Sequence, residues 1–176
     1  MTGRIVIVGI VMFALIAGAL LYYLQIYAYY DEVSADEAGN VQLVNLVTEA
    51  PEKIPFENFK AIDSDSAPVR FRACFDTPLS QAMLTETYLT YEAAEPLVAP
   101  GWFDCFDAEE IGEALRRGEA IAFLSVENIS YGVDRVVSVM ADGRAHAWHQ
   151  INECGAVVFD GEPAPEGCPP VPEGMQ

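Results

Sequence analysis

The feature that most constrains this chain is a long run without charge. From Ile5 to Tyr30 no side chain is acidic or basic. The most apolar part, Ile5 to Leu24, has 20 residues, and at about 1.5 Å per residue a helix of that length spans roughly 30 Å, one hydrocarbon core. A cleavable signal has a shorter apolar run that stops near its cut. Here the run passes the small residues Ala17-Gly18-Ala19 and continues through Leu20, Leu21, Leu24 and Ile26. Cleavage after Ala19 would expose a greasy, tyrosine-rich strip on a soluble product. Tyr22, Tyr23, Tyr27, Tyr29 and Tyr30 gather at the far end, as aromatic rings do at a membrane–water interface. The expectation is an uncut anchor, with residues 5–30 in a lipid bilayer and the five tyrosines as its collar.

Charge gives the orientation. Arg4 precedes the span and Asp31-Glu32 follow it, so the positive-inside rule keeps the N-terminus in the cytoplasm and exports the rest. This places the chain as a single-pass protein of the bacterial inner membrane with a periplasmic C-terminal domain. All 27 acidic residues and 8 of the 9 basic ones lie in 31–176, so that region carries 8 − 27 = −19. Such a surface repels nucleic acid and attracts a basic protein or a cation. Acidity also serves solubility alone.

Cysteine usage agrees with export. Cys74, Cys105, Cys154 and Cys168 all lie outside the anchor, and their even number reads as two disulfides with three possible connectivities. The reading adopted is Cys154–Cys168, stapling the tail, which leaves Cys74–Cys105. No pair has the C-x-x-C spacing of a redox pair or zinc knuckle.

The exported part reads as α+β: a small antiparallel-sheet domain with two helices. Residues 31–40 read as a polar linker, 41–160 as the domain and 161–176 as a Pro/Gly-rich tail, after an anchor and tip at 1–30. Val41–Val47 is an expected strand, interrupted by Pro51 and Pro55. Ala67–Phe75 is another, with Val69, Phe71, Ala73 and Phe75 on one face and Arg70, Arg72 and Cys74 on the other. The two arginines are expected to pair with carboxylates. Thr77-Pro78 is expected to open a helix reaching about Ala93, with Leu84, Tyr88 and Tyr91 on one side. Asp107 with Glu110, Phe106 with Ile111, and Gly118 specify the cap, staple and stop of a second helix. Ala120–Val126 is a buried-strand run. Val133–Asn152 is a hairpin around Asp142-Gly143; a two-residue turn would set Val139 opposite His146, Val137 opposite Trp148 and Val136 opposite His149.

His146 and His149 are the residues to test for chemistry. Three apart on a strand, they point to opposite faces and cannot close on one metal ion. The sequence lacks G-x-S-x-G, S-x-x-K, H-E-x-x-H, a phosphate-binding P-loop and C-x-x-C-H. The pair Asp63 and Asp65 is not followed by the rest of a calcium loop. No catalytic residue, cofactor or metal is therefore assigned.

The segments "YYLQIYAYY", "FRACF", "MLTETYLTYEAAEPL", "APGWFDCFDAEEIGEAL", "YGVDRVV" and "WHQINECG" resemble a family of small, single-pass, uncharacterised alphaproteobacterial membrane proteins, over nearly the whole chain. The resemblance implies no activity and carries no catalytic residue over. Members are at times labelled histidine kinase. This sequence contradicts the label, because it has no phosphoacceptor-histidine helix and no glycine-rich nucleotide-binding segment. The expected function is a membrane-anchored accessory, assembly or interaction protein, more non-enzyme than enzyme. The alternative is a periplasmic enzyme or metal-handling protein using His146 or His149 with nearby carboxylates.

Overall fold

A computed structural model describes residues 2–174. The chain divides after Asp31 into two compact units.

The first unit is built on α1 (Thr2–Ile26). Its span Gly3–Ile26 has a mean hydropathy of 2.8 and none of it is buried within the protein. It is long and apolar enough to cross a membrane. Leu, Ile, Val and Phe side chains are exposed around it, an arrangement that water penalises and hydrocarbon does not. The tyrosines of its last turn and just beyond touch one another: Tyr23 stacks on Tyr27 with centroids 6.0 Å apart, Tyr22 meets Tyr27 edge-on, and Tyr29 meets Tyr30 edge-on.

The second unit is an antiparallel-sheet domain. The strands are β1 (Asp31–Glu32), which begins at the boundary, β2 (Gln42–Val44), β3 (Pro51–Lys53), β4 (Glu57–Asp63), β5 (Arg72–Asp76), β6 (Ala120–Ser130), β7 (Val133–Met140) and β8 (Arg144–Ile151). The main sheet runs β1-β4-β5-β8-β7-β6, and β2-β3 forms a separate ribbon. Its helices are α2 (Gln81–Thr87), α3 (Ala108–Arg117) and α4 (Glu153–Phe159).

Period-two alternation in β5, β7 and β8 gives the main sheet two filled faces. Phe71 with Ala73, Phe75, Val137, Val139, Ala145 and Ala147 pack against Val41, Leu43, Ile54, Leu84 and Tyr88, forming the inner face. Trp148, fully buried, lies on the other face, where Phe106 meets it edge-on. That outer face is covered by α3, capped as expected by Asp107 on the Glu109 and Glu110 amides and ended by Gly118 in the left-handed conformation.

Local expectations fail where long-range pairing competes with them. The helix expected over 77–93 is only α2, capped by Ser80. The Thr77 hydroxyl donates to Pro55 O and its N–H to Gly143 O, so Thr77 serves the sheet. After Thr87 the chain is drawn into extended bridges, Asn45 with Tyr88 and Thr90 with Phe123. The hairpin also differs by one residue. Val139 pairs with Ala145, Val137 with Ala147 and Val136 with Trp148, because the loop holds Ala141, Asp142 and Gly143. Gly143 has φ of 93°, and a Cβ there would lie 2.8 Å from Thr77 O. The three-residue loop with a left-handed glycine is thus fixed by a neighbour distant in sequence.

Three segments gain structure beyond the expectation. Residues 51–53, read as an interruption, form β3 with proline at its first position, where no ladder donor is needed. Residues 31–40, read as a linker, contain β1 and a Ser34–Glu37 turn, and Val33 and Ala38 pack on the inner core. Asn152 caps α4, which packs at Gly155 so closely against Gly132 that a Cβ on either would strike the other's backbone.

Candidate functional site

The structure forms both disulfides, Cys74–Cys105 and Cys154–Cys168. The first ties β5 to the loop before α3; the second ties α4 to the tail.

The histidines lie on opposite faces, each beside a buried arginine and an aromatic ring. On the inner face, His149 stacks on Phe71 at 4.8 Å and the Arg135 guanidinium lies 4.2 Å over the same ring. Arg135 Nε donates to His149 Nε2 at 3.0 Å, and its Nη1 donates to Ala38 O. With Nε2 accepting, the proton sits on Nδ1, which is 2.7 Å from Pro68 O. Both ring nitrogens are engaged. Burial, then the Arg135 and Arg72 charges, push His149 down to about 3. Burial also lowers Arg135, to about 10, and the Asp63 carboxylate opposes that fall. Arg135 is therefore a cation and His149 a neutral acceptor at neutral pH.

On the outer face, His146 meets Phe106 edge-on at 5.8 Å, and Arg72 lies 5.8 Å over that ring. Burial raises the Asp63 carboxyl, and the charge of Arg72 helps to lower it against that rise. Arg72 donates to four carbonyls, those of Val69, Phe71, Leu97 and Val98. Backbone oxygens of an irregular segment need donors as much as a guanidinium needs acceptors. His146 is pushed down to about 4, by burial first and the Arg144 charge second. Its Nδ1 is buried without a hydrogen-bond partner, as is the hydroxyl of Ser138, its direct cross-strand neighbour. Among the described residues, neither histidine has a hydroxyl or thiol nucleophile bonded to it. Among the described residues no three His, Cys, Asp or Glu side chains are grouped to hold a metal.

A more open hollow lies elsewhere in the domain. A cavity of about 640 Å³ lies between the 32–37 turn, β4 and the loop 102–105. Phe59, Trp102 and Phe103 supply aromatic walls, and Glu32, Glu37 and Asp104 supply carboxylates beside Lys60. The hydroxyl and N–H of Ser34 donate to Glu37 and hold its carboxyl below the usual range. A second cavity of about 340 Å³ shares Lys60, Asp104 and Cys105 and reaches His146, Asp76, Asp107 and Glu110. Composition alone could not find this site, because 27 acidic residues make chance pairs certain. The available signal was "GWFDCFD" beside a cysteine: the disulfide anchors that loop against β5, facing β4.

No curated protein and no solved structure matches the chain. A family model does match, over residues 41–169, which hold most of the sheet domain. The chain belongs to that family, a family of unknown function, DUF6446.

Proposed function

We propose that the protein is a membrane-anchored periplasmic accessory or assembly factor of the alphaproteobacterial inner membrane. Its N-terminus is cytoplasmic, and its acidic domain docks on a membrane complex or a basic protein. The observation that carries this reading is the pairing of two unlike units in one chain. One is a helix with its apolar surface exposed all round; the other is a disulfide-bonded domain with a charge of −19 over 31–176. The tyrosine collar supports the bilayer assignment, and the disulfides support an oxidising compartment.

The test is purification of the tagged protein from its native membrane in mild detergent, with identification of what accompanies it. A stoichiometric companion released at high salt is the expected result. A protein that emerges alone overturns the docking reading. The alternative, chemistry at a histidine, has one specific foothold, the unpartnered Nδ1 of His146 beside the smaller cavity. Loss of a defined activity in His146→Ala with the fold intact would establish it.

A further inference from the structure

The larger cavity has a chemistry that discriminates among ligands. At about 640 Å³ it lies within the roughly 300–1,000 Å³ usual for ligand pockets. Its three carboxylates and one lysine leave a local charge of 1 − 3 = −2, so an anion is repelled. A neutral apolar ligand would strip water from Glu32, Glu37 and Asp104 and return nothing to them. A cation on an apolar stem satisfies both walls: the stem lies on Phe59, Trp102 and Phe103, and the head meets the carboxylates. Guanidinium suits the site better than ammonium, because it is planar, less strongly hydrated and stacks on rings.

The length of the groove selects the source. Across the shared rim of Lys60, Asp104 and Cys105, the smaller cavity adds three carboxylates, Asp76, Asp107 and Glu110, against one further cation, Arg144, which pairs with Glu110 at 3.2 Å. A small amine would occupy one cavity and leave the other. An extended segment with basic residues would use both. We infer that the larger cavity receives an arginine side chain of a basic partner protein, with a second basic residue of the same segment at the smaller cavity. The inference rests on the docking reading and names its seat.

The test titrates the full chain in detergent with a labelled, acetylated and amidated arginine–glycine peptide, followed by fluorescence anisotropy. Its citrulline twin has the same shape without charge. We expect the arginine peptide alone to bind. Glu32→Gln with Asp104→Asn should weaken it about tenfold, and Trp102→Ala about fivefold. Glu162→Gln with Glu166→Gln, which changes the net charge equally in the exposed tail, should alter it less than about twofold. Equal losses in the two carboxylate pairs, or equal binding of the citrulline twin, would overturn the inference in favour of bulk acidity or none. Arginine amide binding as tightly as the peptide would overturn the partner segment in favour of a small amine. A companion that co-purifies unchanged with Glu32→Gln/Asp104→Asn sinks this seat and leaves the docking reading standing.

Discussion

The two faces of the main sheet solve the same problem with different completeness. Each buries an arginine, a histidine and a phenylalanine together: Arg135, His149 and Phe71 inside, Arg72, His146 and Phe106 outside. On the inner face the hydrogen bonds close, since the histidine accepts from the arginine and its second nitrogen meets a carbonyl. On the outer face the arginine is satisfied by carbonyls, but His146 Nδ1 and Ser138 Oγ are not. A buried polar group with every lone pair engaged is architecture. One with a lone pair left over is where water, a ligand or a proton can still enter.

The largest effects should come from the arginines. Arg135→Ala strands two neutral acceptors, His149 Nε2 and Ala38 O, in the interior and should cost about 2–5 kcal/mol in chemical unfolding of the full chain in micelles. Arg72→Ala, which strands four carbonyls, should cost as much. A loss below about 1 kcal/mol in either would show that the two faces are not built alike. Breaking Cys74–Cys105, which are 31 residues apart, should cost about 3.5–4 kcal/mol by loop entropy; Cys154–Cys168, 14 apart, about 3 kcal/mol. Comparing the paired alanine variants under unfolding tests that order.

Acid separates the histidines. Each has a folded value depressed below the ordinary 6.5, so each contributes stability that is complete above that value and is lost as pH falls. The loss at His146 runs down to about 4, and at His149 to about 3. Across the shared window each should steepen the loss by up to about 1.4 kcal/mol per pH unit. Unfolding measured at several pH values should therefore flatten by one such slope in His149→Gln and by one in His146→Gln. Glu110 and Asp142 face His146 and oppose its shift, while Arg144 aids it, and the loss at His146 should level off at a higher pH than the loss at His149, near 4 rather than near 3. The smallest contrast is between two buried serines. Ser125 Oγ donates to Gln42 O at 2.6 Å, and Ser138 Oγ has no partner. Ser125→Ala should cost about 1–2 kcal/mol, and Ser138→Ala about nothing. Equal losses would close the gap between the faces.

Much of the frame was legible in the sequence. The apolar run yielded α1, the cysteine count yielded two disulfides, and the cap, staple and glycine of α3 were readable because their partners lie within a few residues of one another. Alternation assigned Phe71 and Arg72 to opposite faces before any partner was known. The helix after Thr77 was overestimated, because its helical stripe also suits an extended strip between β2 and β6. The hairpin slipped by one, since Thr77 O decides how tightly the chain can turn at Gly143. Nothing local distinguished residues 31–40 from a linker, for the atoms that hold them are Ala61 O, to Val33 N–H, and Ala38 O, to Arg135.

By itself, then, the sequence determined what depends on neighbours along the chain: a membrane-length helix, the tyrosines at its end, a strongly acidic part beyond it, and which side chains share a strand face. Only the tertiary structure decided which faces meet. It put Arg135 against His149, set Arg72 on four carbonyls, and closed three aromatic rings and three carboxylates around one cavity. The physical reason is that periodicity fixes direction within an element. The energy of burying a charge depends on the group that stands opposite, and that group comes from elsewhere in the chain.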